Sequence, residues 1–237
     1  MFTPSSGAGA PRSLRSFCAP KRSGGVFTPD AYHPSKAACS IRCSLRGAYE
    51  LLVHLEADPL SLSYHPYNFY EDIPRRLAAS LQSFPAFEVR HDSGVYVLVA
   101  AEQTEISEGA AAKAFKAADR ALSVRNIWLL RTDIDILRME PRWSNALNIA
   151  ACVHEELVDE DVQRLIDHLE RFPRLTVATC ARLMLNQPDP FAAILRLISV
   201  GLLTADLNKT LASSTEVFMR LEVAENWPRR ERVCISK

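Results

Sequence analysis

Three carboxylates in the first half of the chain, Glu50, Glu88 and Glu102, have neighbours that suit metal-dependent hydrolysis. Hydrolysis of a phosphodiester by a divalent cation needs carboxylates that converge on the metal, and a lysine nearby that orients water or stabilises the developing charge. A β-hairpin meets this need when an Asp begins one strand and a Glu-x-Lys pair lies on the next. The spacing of two puts both side chains of that pair on one face, and a Glu on the preceding helix completes the site.

The elements that must position these carboxylates follow from the apolar pattern. Apolar residues at helical spacing predict a helix at 46–56, and Asp58-Pro59 ends it because proline disfavours helix in the residue before it. Strict alternation predicts a strand at 60–64, and the runs at 87–91 and 95–101 predict a hairpin around a turn-forming centre.

A second helix and strand complete the first half of the chain. The Ala- and Lys-rich stretch 108–123 predicts a helix, and 126–132 predicts another strand, whereas 69–74 is irregular. The runs at 95–101 and 126–132 are continuously apolar, as expected for strands buried on both faces. Helix, three strands, helix and strand in this order predict an α/β core.

The second half of the chain is helical and ends in two strands. Its predicted helices and strands are, in order, 143–154, 159–172, 176–185, 190–200, 202–207 and 215–221. Asp189 and Pro190 open the last helix as cap and first-turn residue, and Gly201 ends it. Three helices followed by a β-hairpin are the order of a winged helix-turn-helix.

The motifs of the first half resemble those of the TnsA-type transposon endonucleases. Arg46-Gly47-x-x-Glu50 through Asp58-Pro59 resembles the opening of that family, Phe84-Pro85-Ala86-Phe87 its Pro-Asp-Phe motif, and 99–104 the strand end with Glu-x-Lys or Gln-x-Lys. The resemblance implies a restriction-endonuclease-like mixed sheet flanked by helices at 41–138, followed by an α+β winged-helix-like domain at 141–222. It also implies Mg²⁺ as cofactor, an active-site role for Glu50, and a transposase partner.

The chain departs from the family at two catalytic positions. Ala86 stands where the metal-binding aspartate is expected, and Thr104 replaces the lysine if Glu102 takes the acidic position. In an earlier register both positions are apolar. We expect Glu50 and Glu102 as metal ligands, and Glu88 as a substitute acid because it shares the face of Ala86. The alternative is that all three are ordinary surface carboxylates and that Mg²⁺ binding has been lost.

Basic residues suggest where DNA could be held. The chain has 28 basic and 28 acidic residues, but 1–46 holds seven basic residues and one acid, so 1–40 is interpreted as a disordered basic arm and 223–237 as a flexible tail. In the second half, the candidate phosphate contacts are Arg182, Arg196, Lys209 and Arg220. The apolar helix at 190–200 suits protein docking equally well, since reading a major groove needs several polar side chains.

Three functional hypotheses follow. The first is a TnsA-like protein of a mobile element, catalytically impaired, that binds DNA or the transposase. The second is an active Mg²⁺-dependent endonuclease that cuts transposon ends with Glu50, Glu88 and Glu102, and the third is a non-enzymatic regulatory DNA-binding protein. No apolar run of about 20 residues suggests a membrane span, and six scattered cysteines without a secretory signal suggest a reduced, cytoplasmic protein.

Overall fold

A computed structural model describes residues 31–102, 109–220 and 223, and a mixed sheet organises the first half of this chain. The elements of that half are β1 (Ala31–Tyr32), β2 (Ile41–Arg42), α1 (Ala48–Ala57), β3 (Ser61–Pro66), α2 (Arg75–Ala79), β4 (Ala86–His91), β5 (Gly94–Ala100), α3 (Gly109–Ser123), β6 (Trp128–Thr132) and α4 (Ile134–Leu137). The sheet order is β3-β4-β5-β6, antiparallel except for the parallel pair β5 and β6. The predicted α/β class, hairpin and mixed sheet are therefore confirmed.

Helices cover both faces of this sheet. On one face, Leu51 and Leu52 of α1 pack with Phe87 and Val89 of β4. On the other face, Phe115 of α3 packs in a cluster with the remaining inward side chains of β4 and β5. Because neighbouring strand residues point to opposite faces, each position of β4 and β5 can be assigned to the α1 side or the α3 side.

The second half is a helical unit with a small sheet. Its elements are α5 (Arg142–Ala151), α6 (Asp159–Arg171), β7 (Arg174–Thr176), α7 (Val177–Leu183), α8 (Pro190–Ser199), β8 (Leu203–Ala205) and β9 (Glu216–Met219), with strand order β7-β9-β8. The predicted cap of α8 is confirmed, because the Asp189 side chain accepts hydrogen bonds from the backbone N–H groups of Phe191 (3.1 Å) and Ala192 (3.0 Å). Gly201 follows α8 with φ +80°, as expected of a glycine that ends a helix.

Helix α1 belongs to both cores. Its Leu51, Leu52 and Leu55 face the sheet, while Val53 and Ala57 pack into the helical cluster of the second half. The sequence predicted a single apolar stripe, but the helix is covered on two sides. The second half therefore completes the burial of α1, while the division into domains at 41–138 and 141–222 stays a prediction.

Four local predictions also need correction. The stretch 69–74, which is predicted to be irregular, holds a 3-10 helix (Phe69–Glu71) and leads into α2. The sequence pattern also gives no strand after Pro173, where β7 lies. Strand β6 was predicted to be buried, but it lies at the edge of the sheet with Trp128 56% exposed. The predicted disordered arm extends to residue 40, yet Ala31–Tyr32 form β1, and the backbone N–H groups of Ser35 and Lys36 donate to Glu56 of α1.

The rest of the predicted arm and tail, 1–30 and 224–237, lies outside the described residues, as do 103–108 and 221–222. Within the described part of the chain, no helix combines the length and apolar character needed to cross a membrane.

Candidate functional site

Glu50 lies in the first turn of α1 and is fully buried. Its Oε1 accepts two hydrogen bonds from Arg138, one from Nε at 2.9 Å and a shorter one from Nη2. Oε2 is buried as well and accepts no hydrogen bond from the described residues. A buried carboxylate needs a paired charge, and here a guanidinium from the end of α4 supplies it.

Gly47 holds α1 against the sheet and so positions Glu50. It lies directly before the helix with φ +83°, a conformation that residues with a Cβ rarely adopt. A Cβ there would stand 3.0 Å from Ile134 Cγ1 and 3.1 Å from Ala100 Cβ. The glycine therefore allows α1, α4 and the end of β5 to approach one another closely.

The groups beside Glu50 are shielded from water. Burial raises the pKa of the Cys43 thiol, and the negative charge of Glu50 raises it further. Burial lowers the pKa of His54, against the opposing effect of its 2.6 Å hydrogen bond to the carbonyl of Leu137. His54 also stacks against Trp143 at a centroid distance of 5.7 Å. The helix face around Glu50 is thus tightly packed.

Glu102 lies on the α1 side of the sheet, beyond the end of β5. Ala100 belongs to the cluster on the α1 side and Ala101 to the cluster on the α3 side, so alternation returns Glu102 to the α1 side. Its carboxylate forms a short ion pair with the exposed guanidinium of Arg46. Both predicted metal ligands, Glu50 and Glu102, therefore lie beside an arginine.

Glu88 lies on the opposite side of the sheet from Glu50 and Glu102. It pairs across the hairpin with Val97, whose side chain packs in the cluster on the α3 side. The sequence-based inference that Glu88 shares the face of Ala86 is therefore supported, since Ala86 packs in that cluster too. The half-buried Glu88 carboxylate lies 3.8 Å from His65 Nε2. The sheet thus separates Glu88 from the other two carboxylates.

The strand register defines the positions opposite Ala86. Ala86 pairs with Val99, and Ala101 follows two residues later on the same face. An acid and a lysine spaced by two would have to take these places in order to meet an aspartate at 86. Both places hold buried apolar residues, as in the earlier of the two registers considered for the sequence, while Thr104 lies outside the described residues.

A groove of about 480 Å³ opens at Ala86, between the start of α1 and the start of β4. Its walls include Arg42 and Ser44 on one side and Tyr67 and Gln82 on the other. Arg42 is the charged residue among its lining residues, and none of them is a carboxylate. The groove can accept a neutral or anionic group but offers no acidic oxygen to a cation.

The carboxylates among the described residues do not fit a Mg²⁺ site. Mg²⁺ demands octahedral oxygen coordination and usually binds one or two carboxylates with several waters. Glu50 and Glu102 are each neutralised by an arginine, and Glu88 lies across the sheet. Within the described residues, no group of three or more His, Cys, Asp or Glu side chains is placed to hold a metal ion.

A second buried carboxylate, Glu56, was not anticipated. It accepts hydrogen bonds from the Ser35 hydroxyl (2.6 Å), the Ser35 and Lys36 backbone N–H groups (3.0 and 3.1 Å) and the Tyr64 hydroxyl (2.6 Å). Lys36 Nζ also donates to three carbonyls at the end of α1, and burial lowers the pKa of this amine to about 8. The segment before β2 is therefore fastened to α1 by polar contacts.

Two of the four predicted phosphate contacts lie at the junction of the two halves. Arg196 is half-buried and donates to the Ser35 hydroxyl at 3.2 Å, and Arg220 donates to the carbonyl of Pro59 at 3.2 Å and pairs closely with Asp92. The other two, Arg182 and Lys209, are exposed, and Lys209 lies 3.3 Å from an Asp206 carboxylate oxygen. The four side chains are therefore divided between the junction and the surface.

Sequence reasoning missed Arg138, Lys36 and Ser35. The signal that was available is indirect: Glu50 and Glu56 lie on a helix whose other residues are mostly apolar, and a buried carboxylate requires donors. The partners lie 88 and 21 residues away along the chain, so no local motif could identify them.

Comparison with known proteins adds no family to these observations. No protein-family model matches the chain, and no curated protein sequence matches it. The resemblance to TnsA-type endonucleases therefore remains an expectation based on short motifs.

Proposed function

We propose that this chain is a TnsA-like protein of a mobile element that holds DNA or a transposase and does not itself cut DNA. The observation that carries the proposal is the ion pair between Glu50 and Arg138. A nuclease of this type needs a divalent cation beside its helix glutamate, and here a guanidinium of the chain occupies the side of that carboxylate. The permanent positive charge of arginine disfavours a second cation there.

The element order supports the nuclease-like part of the proposal. The first half follows the order of a restriction-endonuclease-like core: helix α1, three antiparallel strands, helix α3, and a strand parallel to the third of those strands. Helix α1 lies on one face of the sheet and α3 on the other. A catalytically impaired relative would keep this core and carry apolar residues at the catalytic positions, as this chain does at 86, 99 and 101.

The second half is consistent with a winged-helix-like unit that packs on α1. Its order of helix, strand, two helices and two strands, with β9 between β7 and β8, suits that fold. In such a unit α8 would be the recognition helix. Here α8 is mostly buried, and its Ser199 hydroxyl donates to the Glu56 carbonyl of α1 at 2.9 Å. A helix engaged with α1 is not free to enter a major groove. We therefore expect this unit to stabilise the first half rather than to read DNA.

The test combines binding and cleavage. Purified full-length protein is mixed with labelled duplex carrying the element ends, with and without the transposase, in Mg²⁺ or Mn²⁺. We expect binding to the duplex or to the transposase, and no strand cut above the level of a Glu50→Gln variant. Cleavage that Glu50→Gln abolishes would overturn the proposal and favour the active Mg²⁺ endonuclease. Absence of binding to both would overturn it as well.

A further inference from the structure

Helix α3 carries a basic ridge on its outer face. Lys113, Lys116 and Arg120 are all exposed and spaced by three and four residues, so they lie in one row along the helix. They point away from the sheet, opposite the buried Phe115 and Leu122. At a rise of 1.5 Å per residue the row is about 10 Å long.

Further basic side chains widen this ridge on both flanks. Helix α2 packs against α3 and exposes Arg75 and Arg76. On the other flank, the exposed Arg131 of β6 places its guanidinium 5.8 Å from the centre of the Phe115 ring. We call these six residues the α3 surface: Arg75, Arg76, Lys113, Lys116, Arg120 and Arg131.

The charges of the α3 surface are not neutralised by described carboxylates, and the contact of Arg131 with the Phe115 ring leaves its positive charge in place. Among the described residues, none of the six forms an ion pair, whereas Arg138, Arg164 and Arg220 each pair with a carboxylate. Asp119, which lies beside the ridge, is the one acidic residue of α3. A concentration of unpaired cations on a chain with zero net charge attracts a polyanion.

We propose that the α3 surface binds the phosphate backbone of duplex DNA without reading its sequence. Lysine ammonium groups neutralise phosphates, but sequence readout needs side chains that meet base edges in a groove. The outer face of α3 presents no aromatic ring on which unpaired bases could stack, which favours duplex over single strands. The inference rests on the proposed DNA-holding function and assigns it to a surface outside both α8 and the candidate site.

The test measures affinity for a duplex of arbitrary sequence against salt concentration, using the full-length chain. Lys113→Gln/Lys116→Gln/Arg120→Gln removes three cations and keeps good helix formers, so the thermal midpoint should stay close to wild type. We expect the slope of log K against log salt to become shallower by about 2.7, since each phosphate contact contributes about 0.9. At 0.1 M salt the affinity should fall on the order of a hundredfold.

A competing variant, Arg182→Gln/Lys209→Gln, removes the two exposed members of the predicted phosphate contacts in the second half and should leave the slope unchanged. A slope and an affinity that the α3 triple variant leaves at wild-type values, or that fall with the competing variant instead, overturn this inference and leave the proposed function standing. Wild-type protein that binds no duplex overturns the inference together with the DNA-holding part of the proposed function. Tighter binding to a single strand of equal length refutes the choice of duplex.

Discussion

Removing Arg138 tests whether the chain itself supplies the cation beside Glu50. In Arg138→Met the long apolar stem is kept but the guanidinium is lost, so Glu50 becomes a fully buried carboxylate without a donor among the described residues. Removing one partner of a buried pair typically costs about 3–5 kcal/mol. Because the Arg138 side chain is 33% exposed, water can partly replace it, and we expect a loss of about 2–3 kcal/mol.

The assay is urea unfolding monitored by circular dichroism. The midpoints of the variants are compared with the slope of the unfolding free energy against urea concentration held constant. In a chain of this size a loss of about 2–3 kcal/mol also lowers the melting temperature by roughly 5–10 °C. Glu50→Met/Arg138→Met removes both charges and should recover most of the stability, because two apolar residues of similar volume replace a buried pair at little cost. Glu50 and Arg138 should therefore show a coupling of about 2 kcal/mol in the double-mutant cycle.

The matched control is Lys209→Met, which breaks an exposed pair with Asp206 and should leave the midpoint unchanged. The reasoning is refuted if Arg138→Met behaves like this control, or if the effects of the two single variants simply add. Either outcome would mean that Glu50 gains nothing from the guanidinium, and the proposed function would lose the observation that carries it.

Three further predictions concern the packing of the described residues. Gly47→Ala should lower the free energy of unfolding by more than about 2 kcal/mol, because it combines an unfavourable φ with Cβ contacts of 3.0–3.1 Å. Gly109→Ala is the control, since Gly109 has a similar φ of +79° but no atom within 4 Å of the added Cβ, and it should cost only about 1 kcal/mol in the same unfolding assay. The Lys36 amine has a folded pKa of about 8 against an ordinary 10.5, so the unfolded chain holds that proton more tightly. The free energy of unfolding of wild type should therefore rise relative to that of Lys36→Met between about pH 8 and 10, by at most about 3 kcal/mol. An equal pH dependence in the two proteins would contradict the buried contact. Peptide mapping after thiol labelling at pH 8 should find Cys39 modified and Cys180 protected until unfolding, since burial raises the Cys180 pKa to about 12; equal labelling would exclude this packing.

Local patterns in the sequence were sufficient for the hairpin and for the ends of α8. Alternating apolar residues around Asp92-Ser93-Gly94 define β4 and β5, and Asp189 and Gly201 delimit α8 through capping that depends on near neighbours only. These features need no knowledge of distant segments. They could therefore be predicted from the sequence, and the structure confirms them.

Features that depend on distant segments could not be predicted. An apolar run does not distinguish a central strand from an edge strand, and β6 lies at the edge because no described strand pairs with its outer side. Strand β7 has three residues, too few for a periodic signal. The pairing of Glu50 with Arg138 depends on a short helix, α4, that returns the chain to the start of α1.

The same contacts explain why loss of catalysis would leave the fold intact under the proposed function. A nuclease core without its metal leaves buried carboxylates that repel one another and lack donors. Here Glu50 and Glu102 on the α1 side pair with Arg138 and Arg46, while Ala86, the third acidic position, lies on the α3 side and carries no charge. Neither of these two described carboxylates therefore depends on a metal ion. Helix α1, which carries Glu50, is further secured from its other side by the second half. Under the proposed function, the position of the former nuclease site would be part of the core, and DNA contact would be left to exposed side chains such as those of the α3 surface.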